Sequence, residues 1–166
     1  MVNRRRGYTL IELMMVSAVL ALLFSMGSSL LMKINTFLRV SVGKIETQRD
    51  VRNLLTMITS EIRLAKSSSI ALSRNDNTQP PYSMIAFQKY QGDTLSFWQS
   101  GRSLVMQKNG GGATVLSKNI RSLMFSYPST SDPSLLTVLL TVDKADGTGR
   151  TQALQLGGET VRVLNE

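Results

Sequence analysis

The chain has 166 residues, 42% of them hydrophobic, carries a formal net charge of +8, and contains neither cysteine nor histidine. Its length suits one compact domain, or a small domain with a long appendage. The missing side chains exclude disulfides, Cys and His nucleophiles, the usual zinc ligands and the commonest general base. No carboxylate pair or Ser/Lys arrangement stands out as catalytic, so the chain reads as a non-enzyme without a cofactor. The charge is unevenly spread: residues 1–7 sum to +3, 8–32 to −1, 33–66 to +4 and 67–166 to +2.

Arg4, Arg5 and Arg6 stand before Gly7, and the apolar stretch that follows is broken by Glu12. From Leu13 to Met32 twenty residues carry no charge. As a helix they span about 30 Å, the thickness of a bilayer's hydrocarbon core. They are apolar all round, which suits lipid better than a helix with one wet face, and the arginines favour a cytoplasmic N-terminus. Glu12 is the anomaly, because a carboxylate in such a segment costs on the order of 2–3 kcal/mol. An ordinary secretory signal, cut near Ser25-Met26-Gly27, leaves the apolar run continuing past the cut and Glu12 unexplained. A twin-arginine signal on Arg5-Arg6 meets Thr9 where a large apolar residue belongs. A third reading takes the arginines, the glycine and the glutamate as one unit.

In that third reading "RRRGYTLIELMMVSAVLALL" resembles the leader and N-terminal helix of type IV prepilins and pseudopilins. The resemblance implies that residues 1–7 are a basic leader, removed by a prepilin peptidase that cuts between Gly7 and Tyr8. Tyr8, where the family usually has Phe, is then N-methylated. Thr9, Leu10, Ile11 and Glu12 follow the family order and serve assembly. Glu12 would meet the ammonium group of a neighbouring subunit inside a filament, where an unpaired charge is expensive and a paired one tolerable. The plainer alternative is that Glu12 caps the positive end of its own helix.

Past the membrane segment, Val51, Leu54, Leu55, Ile58, Ile62 and Ala65 recur at three- and four-residue steps, the stripe of an amphipathic helix. Ile34, Phe37, Leu38, Val42 and Ile45 carry a weaker version of it. One helix over 8–66 has its soft point at Gly27-Ser28-Ser29. Its polar face carries Lys44, Arg49, Arg52, Arg63 and Lys66, most simply a solvated face. Residues 67–83, rich in Ser and Asn with a Pro pair, read as a linker. The period then changes from 3.6 to 2. Strands are expected over Met84–Lys89, Thr94–Trp98, Ser103–Gln107, Ile120–Tyr127, Leu135–Val142, Gln152–Leu156 and Thr160–Leu164. Turns fall at Gln91-Gly92-Asp93, Gly110-Gly111-Gly112 and Asp146-Gly147. An antiparallel sheet built this way must bury one face, and the amphipathic helix is its obvious cover.

The head is similar in order to minor pilins and J-type minor pseudopilins, in which a helix ending in an acid-x-Arg pair precedes a meander and an apolar strand. Glu61, Arg63, Leu95, Leu104, Ile120, Leu123, Phe125 and Tyr127 fill those places. The expected fold is therefore α+β and pilin-like: leader 1–7, membrane helix 8–32, amphipathic stem 33–66, linker 67–83, and an antiparallel β head over 84–166. The expected function is a minor pilin or pseudopilin that initiates or caps a type IV pilus or a type II secretion pseudopilus. Its partners would be other subunits, the prepilin peptidase, the inner-membrane assembly platform and the membrane. It would cross the bacterial inner membrane once, with a periplasmic or extracellular head. Two alternatives stay open: a DNA-binding subunit of an uptake pilus, and a membrane-anchored ligand-binding protein.

Other candidate chemistry in the head is thin. "KNGGGATV" lacks the Gly-Lys-Ser/Thr of a phosphate loop and reads as a hairpin. "DKADGTG", with Asp143 and Asp146, has a faint calcium-loop character but lacks the further acids such loops use; no metal is expected. Phe87, Lys89, Tyr90, Trp98 and Arg102 are ingredients for stacking on single-stranded nucleic acid. A head charge of only +2 argues instead for core packing and a solvated face.

Overall fold

The computed structural model describes residues 7–129, 132, 134–145 and 151–164. One helix, α1, covers Leu10–Arg63. A short 3-10 turn follows at Ser67–Ser69, and then eight strands: β1 Ala71–Ser73, β2 Met84–Gln88, β3 Thr94–Ser100, β4 Ser103–Lys108, β5 Thr114–Ser117, β6 Ile120–Ser126, β7 Leu135–Ala145 and β8 Thr151–Arg162. The chain falls into two compact units whose boundary lies within α1, between Ser41 and Val42.

In the first unit the helix buries almost nothing: Leu10, Leu13, Met14, Leu22, Phe24 and Met32 are all exposed. By length and composition it can cross a membrane. Its few hydroxyls bond back to the helix. Ser17 Oγ donates to the Met14 carbonyl at 2.9 Å, Ser28 Oγ to that of Ser25 at 3.1 Å and Ser29 Oγ to that of Met26 at 2.9 Å. Such bonds satisfy polar groups that hydrocarbon cannot solvate. The expected soft point at Gly27-Ser28-Ser29 is therefore unbroken α-helix.

In the second unit α1 packs on two antiparallel sheets, one ordered β1-β2-β3-β4-β5 and one ordered β6-β7-β8. The expected stripe of Val51, Leu54, Leu55, Ile58, Ile62 and Ala65 is buried, whereas the weaker stripe upstream is exposed. It shares one core with Ile85, Phe87, Leu95 and Phe97 of the larger sheet and with Leu123, Phe125, Val138 and Leu140 of the smaller. Phe87 and Phe97 stack with centroids 6.3 Å apart. Fully burying each such side chain contributes about 1.5–3 kcal/mol.

The strand reading needs three corrections. There are two sheets rather than one. β1 and β5 were missed because they are short and largely exposed, with no alternation to read. Part of the stretch read as linker is thus built into the larger sheet, where Ala71 pairs with Ala86. The two strands expected at the C-terminus are one, β8, whose register on β7 passes Gly157↔Leu140 and Gly158↔Leu139 without a shift. The glycines are there for contact. A Cβ on Gly157 would lie 2.3 Å from Val51 Cγ1 and 2.8 Å from Leu55 Cδ1, and one on Gly158 would lie 2.7 Å from Leu139 Cδ2. The side chains of Val51 and Leu55 fill the space that a Cβ at Gly157 would need.

Gly157→Ala should therefore lower stability by about 1–3 kcal/mol by overpacking, and Ile58→Ala by about 2–5 kcal/mol by leaving a cavity. Urea unfolding in detergent micelles, followed through Trp98, the single tryptophan, measures both. A neutral Gly157→Ala would show that helix and strand do not meet there.

Candidate functional site

The N-terminal candidates occupy one helical turn and the residues before it. Arg4, Arg5 and Arg6 lie outside the described residues. Gly7 and Tyr8 precede the helix, and Tyr8 is 90% exposed. α1 then starts with a reciprocal cap. Glu12 N–H donates to Thr9 Oγ1 at 3.3 Å, while Thr9 N–H and Thr9 Oγ1–H donate to Glu12 Oε2 at 2.9 and 3.1 Å. Thr9 is the N-cap residue and Glu12 the third residue of the helix, the Thr-x-x-Glu spacing of a capping box. Leu13 N–H bonds to the Thr9 carbonyl at 3.3 Å, which begins the regular ladder. The plainer role weighed for Glu12, capping its own helix, is present in the chain. Leu10 and Ile11 stand exposed beside it.

The acid-x-Arg pair at the end of α1 ties the helix to the sheets. Glu61 pairs with Lys89, and Arg63 Nη2 lies 3.7 Å from Glu159 Oε1. Backbone bonds reinforce the junction, with Lys66 N–H to the Gln88 carbonyl at 2.8 Å and Tyr90 N–H to that of Leu64 at 3.1 Å. Of the expected apolar positions, Leu95, Leu104, Ile120, Leu123 and Phe125 are buried, while Tyr127 lies at the surface.

The weaker candidates take ordinary places in the fold. Asp143 is 5% exposed and its carboxylate pairs with Arg102. Asp146 lies outside the described residues, and those residues hold no cluster of three metal-ligating side chains. Phe87 lies in the core and cannot stack on a base. "KNGGG" is a hairpin turn: Asn109 and Gly110 have φ of 53° and 68°, and Gly111 N–H bonds to the Lys108 carbonyl at 2.9 Å.

Sequence reasoning missed the polar seam that joins the sheets. Gln99 is 4% exposed. Its Oε1 accepts the Leu123 N–H at 2.9 Å, and its Nε2 donates to the carbonyls of Gly101 at 2.8 Å and Arg121 at 3.3 Å. The only hint was a glutamine at an inward position of β3 between Phe97 and Leu104.

Residues 2–28 match the family described as the prokaryotic N-terminal methylation motif. The matched stretch holds the arginine cluster, Gly7, Tyr8 and the capped turn. The motif, set on a long helix that packs against antiparallel sheets, supports a type IV prepilin-like chain, and α1 is long and apolar enough to cross a membrane. The motif implies processing by a prepilin peptidase and assembly with other subunits. No curated protein and no solved structure matches the chain.

Three surface carboxylates sit below their ordinary range. Hydrogen bonds from Asn109 and Lys108 lower Asp93, bonds from Thr78 lower Asp76, and bonds from Ser134 lower Asp132. A lowered folded-state pKa stabilises the fold above the unfolded carboxylate value, and that stability is lost as pH falls through the folded value. The thermal midpoint in micelles should be level from about pH 5 to 8 and fall steadily below about pH 4. Asp93→Asn should lower the plateau slightly and flatten the acid limb. An acid limb unchanged by Asp93→Asn would dismiss its share.

Proposed function

We propose that the chain is a minor pilin or minor pseudopilin, made as a precursor in the bacterial inner membrane, cut between Gly7 and Tyr8, and methylated on Tyr8. It then joins the complex that initiates or caps a type IV pilus or a type II secretion pseudopilus, its head facing the periplasm or the exterior. The observation that carries this reading is the methylation motif over residues 2–28 set on the capped, apolar start of α1. The head's order supports a minor subunit: an acid-x-Arg helix end, a meander, then the apolar β6. Its role is structural rather than catalytic.

Glu12 has two uses in this reading. Both of its bonds to Thr9 end on Oε2, so Oε1 is left to face the methylated ammonium of a neighbouring subunit's Tyr8. The carboxylate is satisfied locally before assembly and gains a countercharge within it. A subunit out of register would leave that ammonium unpaired in the filament core, at a cost of about 3–5 kcal/mol.

Mass spectrometry of the membrane-extracted protein should find an N-methylated Tyr8 at the start of the mature chain. Cleavage near Gly27 would discard the reading. Glu12→Ala should preserve membrane level and cleavage yet leave little protein in sheared filaments. Glu12→Gln, which can still accept from Thr9, should retain the cap and fail in the same way. If either variant enters filaments as well as wild type, Glu12 is a helix cap and nothing more.

A further inference from the structure

β8 is the longest strand and ends its sheet, so one side of it is an unpaired edge. Val163 N–H bonds inward to the Ser134 carbonyl at 2.8 Å. By the alternation of an antiparallel ladder, Leu154, Leu156, Gly158 and Thr160 turn their N–H and C=O groups outward. The last outward group is closed by the helix end, where Leu164 N–H meets the Arg63 carbonyl at 3.4 Å. The rest lie open.

Proteins blunt such edges with short strands, charges or proline. The larger sheet ends in the short strands β1 and β5, and on β6 the Tyr82 carbonyl takes the Phe125 N–H at 2.9 Å. From Leu154 to Thr160, β8 has no proline, and its one charge, Glu159, lies on the helix-facing side of the strand and is paired with Arg63.

Between this edge and α1 lies a cavity of about 620 Å³, lined by Val51 and Leu55 at its floor and by Arg49, Arg52 and Leu156 at its rim. Arg49 and Arg52 are exposed and take part in none of the ion pairs among the described residues. The one acid in the groove, Glu159, faces Arg63. The groove therefore offers unpaired backbone on one wall and two unneutralised guanidinium groups on the other.

We propose that this groove receives an extended acidic segment of a partner protein, which adds to β8 as a further strand and sets its carboxylates on Arg49 and Arg52. The backbone supplies affinity and the arginines select for acid at alternate positions. Lipid headgroups or free phosphate satisfy the arginines but not the edge, and an uncharged strand satisfies the edge but not the arginines. The inference stands whether or not the chain is cut at Gly7.

The test uses the full chain in neutral detergent micelles. The probe is a peptide of about ten residues alternating threonine and glutamate, a typical strand length. Binding is read by fluorescence anisotropy and by hydrogen exchange. Protection should appear at Leu154, Leu156 and Gly158. Arg49→Glu with Arg52→Glu should weaken binding on the order of tenfold or more, as should N-methylation of alternate peptide amides. The same charge change at Arg74 and Lys118, remote in sequence from the groove, should leave binding unchanged. Trp98 fluorescence and the thermal midpoint check that each variant is folded. Absence of binding, equal binding of a threonine–lysine peptide, protection elsewhere, or equal loss in the Arg74/Lys118 variant would each overturn the proposal.

Discussion

Val51 and Leu55 press on β8 where Gly157 presents no side chain, and most of the head's organisation depends on that close approach. A larger residue there would lift the strand off the helix and open the core beside Ile58 and Val161, which are buried within it. The same contact fixes the register of β8, because a shift of one residue would turn the exposed Arg162 toward the core and the buried Val161 out of it. It also explains why β8 runs past a glycine pair that would elsewhere suggest a turn. The glycines accept helix above and Leu139 below, so they are held extended from both sides.

A second constraint follows from covering one helix with two sheets. An edge brought against another sheet must satisfy its backbone groups there or lose solvation without return. Gln99 meets this need with two bonds across the seam, to Arg121 and Leu123, and the carbonyls of Tyr82 and Arg102 take the N–H groups of Phe125 and Ile120. The buried Asp143 is tolerable because Arg102 reaches it from the surface. An unpaired acid at that depth would be protonated or would destabilise the fold. The pairing thus explains why an aspartate can stand there.

The helix was legible in the sequence because its signals are local and periodic. Twenty uncharged residues and a stripe from Val51 to Ala65 each speak for themselves. The strands with clean alternation, such as Ile85-Ala86-Phe87 and Leu95-Ser96-Phe97, were legible for the same reason. What could not be read depends on partners far along the chain. β5 exists because β4 offers it an edge, Gly157-Gly158 stays extended because Val51, Leu55 and Leu139 lie on it, and Asp143 turns inward because Arg102 sits 41 residues away. Tertiary contact overrides local preference at these positions. The N-terminal motif was readable because it is a linear signal, whereas the reciprocal Thr9–Glu12 cap emerged only with the structure.

The distribution of charge links the head to the stem. The head's net charge of +2 hides a set of neutralised pairs. Lys108 faces Asp93 at 2.7 Å, Arg162 faces Asp132 at 3.9 Å, Arg102 takes Asp143, and Lys89 and Lys144 take Glu61 and Glu46 of the stem. The exposed ones among them, Lys108–Asp93, Arg162–Asp132 and Lys144–Glu46, contribute only about 0–1 kcal/mol each, so their larger effect is on the field around the molecule. The head draws Glu46 and Glu61 from α1 into these pairs, whereas Arg49 and Arg52 take part in none of the ion pairs among the described residues. Both arginines stand beside the long outer edge of β8. Within roughly a Debye length, about 8 Å at physiological salt, a passing acidic chain meets this positive field together with unpaired amides. That pairing of charge and open backbone arises from how the ion pairs are shared between helix and head, and neither segment's composition would reveal it.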